Sequence, residues 1–216
     1  MSTIGHCDAA YKKMVILQCC DALEAQGFTR FRKDEVHWPL GDGFYCWVGL
    51  SSNLSRESVG IDPFVGVHVG PIEKLWTRLQ VGKYPVKYDR GCASHAVYMG
   101  LLSPRERSFE FSRQTDVARE AARLAQIYST TGLSFARSIA SYEQLLPLFK
   151  DRAHMGGAYP QRVACCLYLM GRSREARTFV DELPPVQQPY LEGFTIPFLN
   201  MLAEDERSQG ERAATE

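Results

Sequence analysis

The sequence predicts an α+β fold in which an N-terminal helix and an antiparallel β-meander precede a C-terminal helical subdomain. Apolar residues repeat with a helical period up to Gly27, alternate with polar residues up to about residue 112, and then return to the helical period. Because strands and helices occupy separate parts of the chain, the pattern favours α+β over an alternating parallel fold. We therefore predict a sheet domain over residues 1–112, a helical subdomain packed on it over 113–205, and a flexible tail over 206–216.

The N-terminal elements follow from periodicity and from turn residues. The first helix is predicted from about Asp8 to Gln26, and Gly27 is its C-cap. Gly41-Asp42-Gly43 is a strong hairpin signal. Pro71 is well placed to open a short helix that ends near Leu79. Segments that alternate or are rich in aromatic and β-branched residues predict strands over 28–33, 36–40, 44–52, 61–70, 95–102 and 108–111. Pro63 suggests an edge or a bulge within the fourth of these.

The C-terminal part is predicted to consist of helices. Thr115 can cap a helix that ends near Gly132, and Ser141 with Gln144 has the spacing of a capping box. Residues 163–176 resemble one tetratricopeptide-type helical hairpin, with the pattern Tyr-x-x-Gly-Arg-x-x-Glu-Ala. Because no second copy occurs at a 34-residue period, we interpret it as a packing unit and not as a repeat array.

Composition narrows the class of protein. Lysine plus arginine and aspartate plus glutamate both number 25, so the formal net charge of zero disfavours a protein that coats DNA or RNA. No apolar stretch reaches the roughly 18 residues of a membrane span. Seven cysteines, an odd number with two adjacent pairs, do not suit a secreted disulfide framework. We expect a cytoplasmic protein, and no phosphate-binding loop or zinc-ligand spacing indicates a cofactor or a metal.

Two local patterns leave alternative functions open. Cys92 and His95 are three residues apart, which permits a nucleophile–base pair and hence an enzyme. Residues 73–107 contain seven basic and three acidic side chains, a local net charge of +4. That segment suggests an accessory role in binding nucleic acid, with an affinity that falls steeply with salt. His68 lies between two valines and is expected to be an exposed or hydrogen-bonded strand residue and not a metal ligand.

Three hydrophobic patterns carry a resemblance to a known family. They are the helix end Leu-Glu-Ala-Gln-Gly-Phe at 23–28, the alternating segment 31–38, and Phe-Tyr-Cys-Trp-Val-Gly-Leu at 44–50. Together with residues 130–135 and the capped helix at Ser141, they resemble the DUF4304-type domain, an α+β module of bacterial proteins, over residues 8–150. Such domains often occur beside polymorphic bacterial toxins, where they resemble immunity proteins. The resemblance therefore implies a bacterial immunity protein, and it brings no catalytic signature with it.

We accordingly predict a non-catalytic protein-binding module that neutralises a cognate toxin by direct binding. Such a protein needs a rigid complementary surface, for which aromatic and arginine side chains are the usual anchors. Trp38 and Trp47 flank the Gly41-Asp42-Gly43 turn and could pair across the hairpin. The predicted partner-binding residues are Trp38, Trp47, Trp76, Arg78, Lys83 and Tyr84.

Overall fold

The predicted α+β class is confirmed. The computed structural model describes residues 6–32, 35–82, 86–155, 157–185 and 188–213. The strands are β1 (Thr29–Arg32), β2 (Glu35–Gly41), β3 (Phe44–Leu54), β4 (Ser58–Val69), β5 (His95–Tyr98) and β6 (Phe109–Ser112). The helices are α1 (Ala9–Ala25), α2 (Gly70–Leu79), α3 (Met99–Leu102), α4 (Val117–Ile127), α5 (Leu133–Ser138), α6 (Tyr142–Arg152), α7 (Tyr159–Leu169), α8 (Ser173–Asp181) and α9 (Thr195–Ala213).

The chain forms two compact units that do not coincide with a single boundary at residue 112. The first unit contains the described residues of 1–69 and 90–140, and the second those of 70–89 and 141–216. Residue 112 falls inside the first unit because α4, which follows it, packs against α1. Part of the predicted tail is helical, since α9 continues to Ala213.

An antiparallel sheet forms the centre of the first unit. Its strands follow the order β1-β2-β3-β4-β5, and β6 also pairs with β4. A two-residue turn joins β2 to β3, as predicted, and both Asp42 and Gly43 have positive φ, as a type I′ turn requires. Pro63 is neither at an edge strand nor in a bulge. It pairs with Leu50 on β3, and it falls between the parts of β4 that pair with β6 and with β5.

The two faces of this sheet have different roles. On one, which we call the inner face, Val65, Val67 and Val69 are fully buried. Helices α1 and α5 contact the strands within the same unit. The other face, which we call the outer face, carries the side chains of His37, Tyr45, Trp47 and His68. Residues that pair across neighbouring strands point to the same face, and here His37 pairs with Trp47 and Tyr45 pairs with His68.

The helix that was predicted to end at Gly132 continues past it. Asp116, and not Thr115, caps α4 by accepting from the backbone N–H of Arg119. After α4 the backbone forms a π-helical turn (Tyr128–Gly132) and then α5. The predicted strand over 95–102 is likewise divided, into β5 and the single turn α3. The predicted cap at Ser141 is confirmed, since its side chain accepts from the backbone N–H of Gln144.

The π turn places Tyr128 in the core of the first unit. Its ring is fully buried, and its hydroxyl lies 3.0 Å from the carbonyl oxygens of both Gly49 and Phe64, which pair across β3 and β4. Burial raises the pKa of this hydroxyl well above its usual value, so it stays protonated and donates to the two carbonyls.

Tyr128→Phe is expected to lower the free energy of unfolding by about 1–3 kcal/mol, because two buried carbonyls lose their shared donor. Urea denaturation followed by circular dichroism measures the change. Tyr98→Phe is the matched control within the same unit, since its hydroxyl donates to the carbonyl of Arg107 at an exposed position. Equal losses from the two variants would show that the Tyr128 hydroxyl has no special part in stability.

The second unit is helical and has a buried ion pair between α2 and α7. The Glu73 carboxylate accepts from the Arg162 guanidinium at 2.7 and 3.2 Å and from the Trp76 indole N–H at 2.7 Å. The side chains of Glu73 and Arg162 are only 4% and 11% exposed. The predicted hairpin of residues 163–176 corresponds to α7 and α8, which pack against each other and are separated by Gly171 at positive φ.

Candidate functional site

The two tryptophans of the first unit that were predicted to bind a partner do not share a surface. Trp38 pairs with Cys46, and its ring contacts Gly27 and Phe28 beside α1. Trp47 pairs with His37 on the outer face. The two tryptophans therefore lie on opposite faces of the sheet and do not pair across the hairpin. Trp38 pairs with Cys46, which is the neighbour of Trp47, and adjacent residues of a strand point to opposite faces.

The remaining predicted anchors belong to the second unit or lie outside the described residues. Trp76 is buried, and its indole N–H is used by the Glu73 carboxylate, so its role is in packing. Arg78 is exposed on the same helix. Lys83 and Tyr84 lie outside the residues that the structure describes.

An aromatic cluster on the outer face is the most distinctive side-chain arrangement of the first unit. The ring of His37 stacks between those of Phe31 and His68, with centroid distances of 5.4 and 6.2 Å and interplanar angles of 19° and 10°. Tyr45 is tilted against both histidines, about 6 Å from each. Four rings from four different strands therefore form a continuous platform.

Arg90 extends this cluster from a loop that precedes β5. Its guanidinium lies 4.6 Å from the ring centroids of both Phe31 and Tyr45, which is within the range of a cation–π contact. Among the described residues it forms no ion pair, and its Nε is buried without a hydrogen-bond partner. The two aromatic contacts hold a cationic side chain in place while its hydrogen-bonding capacity stays unused.

These residues enclose a pocket of about 360 Å³, which we call the outer-face pocket. Its lining consists of Thr29, Arg30, Phe31, His37, Pro39, Tyr45 and Arg90. Three buried nitrogens on this face have no hydrogen-bond partner: Nδ1 and Nε2 of His37 and Nε of Arg90. The Arg30 side chain lies on the α1 side of the sheet, where its guanidinium pairs with Asp21 and Glu24. A buried polar group without a partner costs roughly 1–3 kcal/mol, so this concentration of unsatisfied groups in one pocket indicates a site built for a ligand.

His37 is neutral at physiological pH. It is only 2% exposed, and burial, followed by the charges of His68, Arg90 and Arg32, lowers its pKa to about 4. A neutral imidazole has one N–H donor and one acceptor nitrogen. The pocket therefore offers a neutral donor beside the guanidinium of Arg90.

The loop carrying Arg90 is fixed to the outer face by hydrogen bonds. The Trp47 indole N–H donates to the Gly91 carbonyl at 2.7 Å, and Nδ1 of His68 donates to the Cys92 carbonyl at 2.7 Å. Ser94 bonds to β4 through its backbone N–H and its hydroxyl. His68 is thus buried and hydrogen-bonded. Trp47 acts by positioning the loop that presents Arg90.

The proposed nucleophile–base pair occupies two different environments. Cys92 is exposed in the loop that precedes β5. His95, the first residue of β5, is only 3% exposed and pairs with Val67 on β4. The local net charge of +4 over residues 73–107 is also divided, because residues 73–89 belong to the second unit and residues 90–107 to the first. Of these cations, only Arg90 lines the outer-face pocket.

Sequence reasoning missed the outer-face pocket because its lining residues are distant in the chain. The alternating segment 31–38 and the aromatic strand 44–50 did place Phe31, His37 and Tyr45 in strands. Nothing in the irregular segment before β5 indicated that Arg90 would lie against them. The signal that could have been used is the common face of the sheet on which the register of the hairpins places His37, Tyr45 and His68.

No group of three or more His, Cys, Asp or Glu side chains among the described residues is arranged to hold a metal ion. No helix within the described ranges has both the length and the hydropathy needed to cross a membrane. Comparison of the chain with protein-family models, with curated proteins and with solved structures found no match.

Proposed function

We propose that this chain is a non-catalytic protein-binding module, and most concretely a bacterial immunity protein that neutralises a cognate toxin by direct binding in the cytoplasm. The observation that carries the proposal is the outer-face pocket, where Arg90 is held between Phe31 and Tyr45. Arginine and aromatic side chains dominate the binding energy of protein interfaces. The choice of a toxin as the partner is taken from the hydrophobic patterns of residues 8–150, which resemble the DUF4304-type domain although no family model matches the chain.

The physical state of Arg90 supports a binding role. An arginine that is ordered before binding loses less conformational entropy when it meets its partner, since its rotamers are already restricted. The hydrogen bonds from Trp47 and His68 to the Arg90 loop add to this preorganisation. The surface proposed here replaces the predicted one: it retains Trp47 as a positioning residue, and it omits Trp76, which is buried.

The proposal predicts a toxin-domain gene directly upstream of the gene for this chain, and it is tested with the product of that gene. We expect cells that produce this toxin to survive only when the chain is co-produced, and the two purified proteins to form a stoichiometric complex on gel filtration. Cys92→Ala should protect as well as the wild type, because the proposal assigns the thiol no chemistry. Failure to protect, or protection that is lost in Cys92→Ala while the protein stays folded, would refute the proposal in favour of another function.

A further inference from the structure

We propose that the outer-face pocket binds a carboxylate, supplied by an aspartate or glutamate side chain of the partner protein, with Arg90 and His37 as its donors. This inference rests on the proposed function and names the chemistry of the contact. It starts from the three buried nitrogens without a partner on the outer face, which belong to His37 and Arg90.

The charges around the pocket favour an anion with a single charge. Its seven lining residues include two arginines and no acidic residue. Arg30 is already paired, since its guanidinium lies 2.6 Å from Asp21 and 2.7 Å from Glu24. Of the two lining arginines, Arg90 is the one with no ion pair to a described residue, and the carboxylate of Glu35, which lies against the adjacent Gly91, is paired with Arg32. A carboxylate carries one negative charge, whereas a phosphate monoester carries up to two.

The donor set also suits a carboxylate. A guanidinium presents its N–H groups as a planar fork that matches the two oxygens of a carboxylate. His37, neutral in the folded protein, adds one N–H without adding charge. Its imidazole cannot donate from both nitrogens in this state, so the ligand takes one donor from His37 and the others from Arg90.

The aromatic rings define how such a side chain would be held. The rings of Phe31 and Tyr45 each lie 4.6 Å from the Arg90 guanidinium, and the rings of Phe31 and His68 stack with that of His37. Both donors are therefore ordered before the ligand arrives. The ring surface beside the donors lowers the local polarity, which strengthens a charge-assisted hydrogen bond.

Small probes test the chemistry without the toxin. N-acetyl-aspartate amide carries the side-chain carboxylate, N-acetyl-asparagine amide is its neutral isostere, and inorganic phosphate is the competing oxyanion. Each is titrated into the full chain while NMR monitors the ring of His37 and Nε of Arg90. We expect saturable shifts of both groups with the aspartate probe, and a dissociation constant at least about ten-fold larger for the asparagine probe.

Two kinds of variant show whether the response to the aspartate probe depends on Arg90. Arg90→Ala and Arg90→Gln should abolish the response of His37 to the aspartate probe, and unchanged amide spectra elsewhere would show that they remain folded. Arg113→Ala is the matched control, because that guanidinium also lies over an aromatic ring, 4.3 Å from Tyr11, but does not line the pocket. It should retain the response.

Two results would overturn the inference: equal affinity for the aspartate and asparagine probes, or tighter binding of phosphate than of the aspartate probe. A response that persists in both folded Arg90 variants would overturn it as well. These outcomes are independent of the toxin experiment. Protection and complex formation without a carboxylate response would leave the proposed function standing and remove only the assigned chemistry.

Discussion

Glu73→Ala is expected to lower the free energy of unfolding of the second unit by about 3–5 kcal/mol, the largest stability change anticipated for this chain. The substitution leaves the Arg162 guanidinium buried without its carboxylate and removes the acceptor of the Trp76 indole N–H. A buried charge without a counterion is far more costly than an exposed one, because water cannot replace the lost partner. Denaturant titration followed by circular dichroism measures the loss.

The same unit offers a matched control. Arg172 and Glu175 also form a close ion pair, but their side chains are 38% and 53% exposed. Glu175→Ala should therefore cost far less stability than Glu73→Ala. The double variant Glu73→Leu/Arg162→Met removes both charges at once and should recover most of the stability lost in Glu73→Ala. If Glu73→Ala were no more destabilising than Glu175→Ala, the buried pair would not have the role assigned to it.

The first unit is expected to lose about 3 kcal/mol of stability on acidification because of His37. In the unfolded chain this imidazole titrates near the ordinary pKa of 6.5, whereas in the folded protein its pKa is about 4. Between these two values the unfolded state binds more protons than the folded state. The contribution is therefore fully present above pH 6.5, falls as the pH is lowered towards about 4, and changes no further below it.

Comparison of variants isolates this effect from the titration of carboxylates. His37→Phe keeps an aromatic ring beside Phe31 but removes the titrating group, so the stability difference between pH 7 and pH 4.5 should shrink. His154→Gln, at an exposed position, should behave as the wild type does. Urea denaturation at a series of pH values measures the slopes. If His37→Phe and the wild type had the same slope, His37 would not be the neutral buried group described above.

The elements that sequence reasoning placed well are those with local signals. The glycine that ends α1, the hairpin turn at Gly41-Asp42-Gly43 and the Ser141 cap each depend on a few adjacent residues. The turn and the Ser141 cap are confirmed, and at the end of α1 Gln26 is the C-cap while Gly27 follows it at positive φ. The π turn at Tyr128 was missed because it depends on packing over the sheet, and Gly132 at that position imitates the end of a helix.

The candidate site was predicted less well than the fold because it depends on register and on a loop. Tryptophan is common among interface anchors, but residue type does not say which face of a sheet it occupies. The register puts Trp38 beside α1 and Trp47 on the outer face. Trp76 follows a glutamate by three residues on a helix, a spacing that brings its indole N–H to the carboxylate. The fixed position of Arg90 depends on contacts with three distant strands, which no local pattern encodes.

The most direct test of the outer-face pocket as the binding site is the affinity of Arg90→Ala for the toxin, measured by isothermal titration calorimetry. We expect its dissociation constant to be at least about 30-fold larger than that of the wild type, corresponding to a hot-spot loss of about 2 kcal/mol or more. Arg113→Ala should bind as the wild type does. Equal affinities of Arg90→Ala and the wild type would contradict the assignment of this pocket as the binding site.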